Sequence, residues 1–138
     1  MRKAFTLAEL LVVVAILTII AAYGIPNYNM AQRRSVERAG VASMRVIAQA
    51  LELYKSNTGT YPNFPMSQIG DINDDLNLGI LEQNYDYTCE VPNGPSGSYK
   101  CEAAASSEFG WTLRYTTGDG DVSCTGGCPT CTGSSCPF

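Results

Sequence analysis

Histidine is missing altogether from this 138-residue chain. Its absence takes away the side chain that most often serves as general base or metal ligand near neutral pH. No serine or cysteine is patterned with a base, and no phosphate-cradling glycine loop is present; an enzyme is not expected and no cofactor is implied. Basic residues are scarce in the second part of the chain. From Ser56 onward there are two, Lys100 and Arg114, against ten acidic residues. A segment of that balance does not neutralise a phosphate backbone, so direct nucleic-acid binding by it is not expected. Cysteine is missing before Cys89. Charge of either sign is missing from Leu10 to Gln32, and an apolar, uncharged run of that length is not the surface of an ordinary soluble helix.

What is present divides into a stem and a head. As a helix, the uncharged run spans about 34 Å, enough to cross a bilayer core. Residues 10–25 are nearly all Leu, Val, Ile and Ala, with Thr18 the one polar side chain before Gly24. Gly24 and Pro26 are expected to weaken or kink the helix. Beyond Pro26 the pattern becomes amphipathic. Val36, Gly40, Met44, Ile47, Leu51 and Tyr54 recur at steps of three and four, while Arg33, Arg34, Glu37, Arg38, Arg45, Glu52 and Lys55 take other positions. One helix is therefore expected from Phe5 to Lys55, about 75 Å long. "SNTGTYP" (Ser56–Pro62) ends it through Gly59 and Pro62. Between Phe5 and Lys55 five basic and three acidic residues leave a net +2; between Ser56 and Phe138 two basic and ten acidic leave −8. A mildly basic stem precedes an acidic head.

Residues 56–84 are expected to be a loop joining helix to sheet, rich in Asn, Asp, Gly and Pro after 62, with a helical turn near Asp74–Leu78. "YDYTCEV" (Tyr85–Val91) alternates as a strand does, "PNGPSG" (Pro92–Gly97) is a turn, and "SYKCEA" (Ser98–Ala103) is the returning strand. "WTLRYTT" (Trp111–Thr117) is the clearest strand; "GDGD" turns the chain and "VSC" begins another strand. The tail "VSCTGGCPTCTGSSCPF" has only Val122 and Phe138 as large apolar side chains. Burying two such side chains yields roughly 3–6 kcal/mol, less than the cost of ordering the segment at about 1 kcal/mol per residue. Either disulfides or a metal hold it, or it is disordered.

Glu9 stands at the edge of the apolar run, where an ionised carboxylate is unfavourable. In a plain anchor it does no more than snorkel to the headgroups. A secretory signal peptide has no use for it, although "MRKA" is a basic start and Ile20-Ala21-Ala22 is a tolerable cleavage site. "AFTLAELLVVVAILTIIAAYGIP" resembles the N-terminus of type IV pilins and of the pseudopilins of type II secretion. That family shows a short basic leader, a small residue, Phe-Thr-Leu, any residue, Glu, then an apolar helix with a Pro near its end. This chain supplies Arg2-Lys3, Ala4, Phe5-Thr6-Leu7, Ala8, Glu9 and Pro26. It departs at Ala4, where the family usually has Gly, and at Thr18, where a small Gly is common. "LYKSNTGTYP" (Leu53–Pro62) continues the resemblance at the stem-to-head junction; the head matches only in pattern.

The resemblance implies removal of residues 1–4 by a prepilin peptidase that cuts between Ala4 and Phe5, followed by N-methylation of Phe5. It implies partners: copies of the same chain in a helical filament, a pilus assembly platform, and the membrane before assembly. It implies an inner-membrane location with a cytoplasmic N-terminus and periplasmic head, then an extracellular filament. Phe5, Glu9 and Pro26 become assembly residues. The amine created at Phe5 would be buried among apolar helices and needs a carboxylate; Glu9 supplies it, to its own chain or to a neighbour. Arg33, Arg34 and Arg38 would then lie outside the membrane, against the positive-inside rule. Six cysteines in the C-terminal part argue more strongly that this part sits in an oxidising space.

Cys89 and Cys101 flank a turn on neighbouring strands and are expected to pair. Cys124, Cys128, Cys131 and Cys136 admit three pairings. An interleaved set, Cys124–Cys131 with Cys128–Cys136, is favoured over the nested one, which closes a ring with two residues between its cysteines. Zinc at Cys128-Pro-Thr-Cys131 is the weaker alternative, because the flanking spacings are wrong. Asp119 and Asp121 of "GDGD" are a weak calcium candidate, since regular ligand spacing and a closing Glu are lacking. The stem rings Phe5, Tyr23, Tyr28 and Tyr54 are read as packing groups rather than an electron path.

The expected fold is α+β: a long N-terminal helix, apolar then amphipathic, against a small antiparallel sheet with a disulfide-stapled C-terminal tail. Its parts are a leader at 1–4, the helix at 5–55 (5–30 anchor and filament core, 31–55 amphipathic half), the joining loop at 56–84 and the head at 85–138. The expected function is that of a structural subunit of a type IV pilus-like filament serving adhesion, motility or DNA uptake. The alternatives are a pseudopilin of type II secretion and, from another class, a secreted or membrane-anchored disulfide-rich binding module.

Overall fold

A computed structural model describes residues 5–63, 65–81, 83–92, 97–118, 120–131 and 136. The chain divides into two compact units, Met1–Arg33 and Arg34–Phe138. Helix α1 (Leu7–Thr58) contributes to both. It begins two residues after Phe5 because Thr6 is its N-cap: the Thr6 carbonyl accepts the first helical bond, from the Leu10 amide. It ends three residues beyond Lys55. There Thr58 donates its hydroxyl to the Tyr54 carbonyl, and Gly59 closes the helix at φ +84°.

In the first unit every described side chain is exposed. As expected for a single helix, α1 runs unbroken through Gly24 and Pro26. Two polar side chains near this stretch bond carbonyls within one turn. The Thr18 hydroxyl donates to the Ala15 carbonyl at 2.8 Å, and the Asn27 amide donates to the Tyr23 carbonyl at 3.1 Å. Those local bonds let an interrupted polar pattern remain helical without tertiary partners.

The second unit is a helix on a sheet. Strands β1 (Tyr85–Glu90), β2 (Lys100–Ala105), β3 (Trp111–Thr116) and β4 (Ser123–Gly126) form one antiparallel meander in that order. Its inner face presents Tyr85, Tyr87, Cys89, Cys101, Ala103, Trp111, Leu113 and Cys124, all buried. The helix answers with Gly40, Val41, Met44, Ile47, Ala48 and Leu51. Gly40 allows the closest approach: a Cβ there would lie 2.5 Å from the Tyr85 ring and 2.7 Å from Leu113 Cδ1. Two tyrosine hydroxyls bond back to helix carbonyls, Tyr85 to Val36 and Tyr99 to Ala48, each at 3.2 Å. Trp111 Nε1 in turn donates to the Tyr85 oxygen at 2.8 Å.

The stretch 56–84 is not only a loop. It carries helix α2 (Ile69–Leu76), which buries Ile69 and Ile72 and ends on Asn77 at φ +51°. Burial of two isoleucines holds a segment whose Asp and Asn content argues for a turn. Tyr61 folds back on α1, with its hydroxyl donating to Glu52 at 3.0 Å and its ring edge-on to Tyr99 at 5.1 Å. Met66 forms a bridge with Cys89, so the free edge of β1 is partly covered.

Candidate functional site

Glu9 occupies the third position of α1. Its Oε2 accepts from the Thr6 amide at 3.0 Å and from the Thr6 hydroxyl at 2.8 Å, while its own amide donates to Thr6 Oγ1 at 3.3 Å. This reciprocal pair is a capping box. It answers part of the question the carboxylate raised: Glu9 satisfies the orphan donors at the start of an otherwise apolar helix. The Thr-x-x-Glu spacing that signals it stands in the sequence as Thr6 and Glu9. Phe5 lies beside the box and is exposed, and with Ala8, Glu9, Val12 and Val13 it lines a shallow apolar groove. Ala4 lies outside the described residues, as does Asp119.

The tail is held by pairs adjacent in sequence. Cys89 bonds Cys101 across β1 and β2, Cys124 bonds Cys128, and Cys131 bonds Cys136. The interleaved pairing expected for the last four is thus corrected. Gly126, at φ +102° and with no room for a Cβ against the Gly110 carbonyl, reverses the chain just after Cys124. The Cys128 amide then donates to the Gly126 carbonyl at 3.0 Å, which brings Cys128 back to Cys124.

Glu37 is the residue that periodicity missed. It is completely buried, and its only charged atoms meet the tail. Oε1 accepts from the Cys131 amide at 2.9 Å; Oε2 accepts from the Thr130 amide at 3.0 Å and the Thr130 hydroxyl at 2.6 Å. Eight residues on, Arg45 bonds Asp121 at 2.6 Å and the Cys136 carbonyl at 3.2 Å. Burial pushes the Asp121 carboxyl up, but the Arg45 guanidinium and the Val122 amide outweigh it and hold the group below its usual range. Asp121, proposed above as a weak calcium ligand, is therefore engaged by a cation of the chain itself. On the outer face of the sheet Glu102 accepts from Lys100 at 3.0 Å and from Arg114 at 2.7 Å. The Lys100 ammonium, helped by Arg114, holds its carboxyl low.

The family described as the prokaryotic N-terminal methylation motif matches residues 1–24. A Thermus thermophilus type IV wide pilus major component is 29% identical over 79% of this chain and 78% of its own length. A Myxococcus xanthus type IV major pilin protein is 31% identical over 79% of this chain and 52% of its own. The chain carries the N-terminal methylation motif and is similar to type IV pilins over most of its length. A type II secretion system core protein G of Vibrio cholerae is 36% identical over 45% of this chain and 44% of that protein. The chain thus spans about half the length of the Myxococcus and Vibrio relatives. No solved structure matches it. Among the described residues, the match covers the capping box and the apolar part of α1, whose side chains are exposed. Glu37 and the tail lie beyond the matched motif.

Proposed function

We propose that this chain is the structural subunit of a type IV pilus-like filament, held in the inner membrane by residues 5–30 before assembly. The observation that carries the reading is the first unit: Leu7 is 82% exposed, Ile20 63% and Ile25 63%, with one carboxylate, Glu9, at the helix start. An apolar surface of that size needs lipid or other copies of itself around it. Cutting between Ala4 and Phe5 creates an amine beside Glu9. In a filament core Glu9 pairs with a Phe5 amine, and a pair between subunits sets the axial step. Thr6 holds the carboxylate at the helix start until then. The prepilin peptidase and an assembly platform are the partners this pathway requires, and adhesion, motility or DNA uptake are uses of the finished fibre.

The N-terminal residue and intact mass of the native protein test the processing step. A start at N-methylated Phe5 is expected. A start at Tyr23 would reveal a secretory signal peptide, and an intact Met1 an uncut anchor; either result overturns the reading. The 36% identity to a secretion core protein over 64 residues favours a second reading, a pseudopilin. Filaments on the cell surface in a strain lacking type II secretion would exclude it.

A further inference from the structure

Cys124 and Cys131 belong to different disulfides, yet their Sγ atoms and a carboxylate oxygen of Glu37 all lie within 4.8 Å of one another. Cys124, Cys131 and Cys136 are buried, and Cys128 alone of the four is half-exposed. A thiol in solution therefore has one point of entry. Attack there expels the buried sulfur of Cys124, which already faces the neighbouring disulfide.

We propose that the tail is a thiol–disulfide exchange site, entered at Cys128 by a small thiol or a dithiol oxidoreductase, through which its two disulfides change partners. The incoming thiolate bonds to Cys128 Sγ, and the Cys124–Cys128 bond breaks with its electron pair leaving on Cys124. The Cys124 thiolate bonds to Cys131 Sγ, and the Cys131–Cys136 bond breaks with its pair leaving on Cys136. The Cys136 thiolate then attacks the mixed disulfide at Cys128 and releases the incoming thiol. Two disulfides enter and two leave, no oxidant is consumed, and the thiol is a catalyst. The product carries Cys124–Cys131 and Cys128–Cys136.

Glu37 governs this exchange in two ways. Its carboxylate faces the thiolate that forms on Cys124, and two like charges in a buried site repel, so opening is slowed. Its bonds to the backbone amides of Thr130 and Cys131, which Thr130→Val keeps, hold the tail in the sequential pairing with that of Arg45 to the Cys136 carbonyl. Cys89–Cys101, on β1 and β2, lies outside the cluster and serves as an internal control.

The test uses the full chain in detergent micelles with glutathione. Samples are quenched in acid and alkylated, and linked fragments are assigned by tandem mass spectrometry without reduction. The first adduct is expected on Cys128, followed by a Cys124–Cys131 link, with Cys89–Cys101 intact throughout. Glu37→Gln should speed the exchange several-fold. Thr130→Val, which removes one hydrogen bond and keeps the charge, should leave the rate unchanged. A first adduct on Cys124, Cys131 or Cys136 would overturn the proposal. So would loss of Cys124–Cys128 while Cys131–Cys136 stays whole and no Cys124–Cys131 link forms. Equal acceleration by both variants would remove the charge of Glu37 from the mechanism.

Discussion

Helix α1 is one helix with two chemistries. In the first unit the hydrogen bonds of Thr6, Glu9, Thr18 and Asn27 span three or four residues, and every described side chain is exposed. From Arg34 onward the helix also bonds partners 49 to 94 residues away: Tyr85, Tyr99, Asp121, Thr130 and Cys131. The same backbone geometry is thus supported by local capping in one region and by tertiary packing in the other. Local bonds suffice to satisfy a backbone, but they leave an apolar surface uncovered. The second region is complete as a folded unit. The first leaves its apolar surface exposed.

The largest expected effect separates the two regions cleanly. Glu9→Ala should abolish filament formation, because removing one partner of a buried pair costs about 3–5 kcal/mol. Thermal unfolding of the head, followed by the single tryptophan, Trp111, should not change. Electron microscopy of sheared cell surfaces checks the first outcome; normal filaments would make Glu9 a capping residue only. Glu37→Ala should do the reverse to the head. It leaves the Thr130 and Cys131 amides unpaired in the interior and should lower head stability by about 3 kcal/mol, read by denaturant unfolding in detergent.

A smaller effect sharpens the contrast within α1. Gly40→Ala drives a methyl group into the Tyr85 ring and Leu113 and should destabilise the head by about 2 kcal/mol. Gly24→Ala meets nothing within 4 Å and should leave head unfolding where it is. Comparable losses from both would mean that Gly24 is packed in the isolated chain.

The smallest effects are in pH. Asp121 titrates below its ordinary 3.8 in the folded head, so the unfolded chain takes up its proton first. Stability from the Arg45 pair is present above that value and is lost as pH falls below it; Asp121→Asn should flatten that limb. Tyr85 moves the other way. Burial pushes its hydroxyl up to about 12, so the unfolded chain ionises first above 10. Stability is lost between those values, and Tyr85→Phe should reduce the alkaline loss while removing the bonds to Val36 and Trp111.

The strands were legible because one face of an antiparallel meander is buried, which writes alternation into "YDYTCE" and "WTLRYT". The amphipathic stripe of α1 was legible for the same reason, with Val41 and Ala48 added to it by the structure. Helix α2 was not, since only Ile69 and Ile72 are buried in a segment of turn-forming residues. Glu37 stands off the apolar stripe in the sequence, and its partner lies 93 residues away, beyond any periodic signal. The tail pairing depended on the reversal at Gly126, and four closely spaced cysteines do not encode which of them that reversal brings together. At the N-terminus the motif named Glu9, and its hydrogen bonds to Thr6 came from the structure.

A side-chain-resolution density map of the assembled fibre tests the division of α1 most directly. Residues 7–33 of each copy should pack against the same segment of other copies, with Glu9 within ion-pair distance of a Phe5 amine. A fibre with those residues facing solvent, or with every Glu9 bonded to its own Thr6 and no Phe5 amine near it, would contradict it.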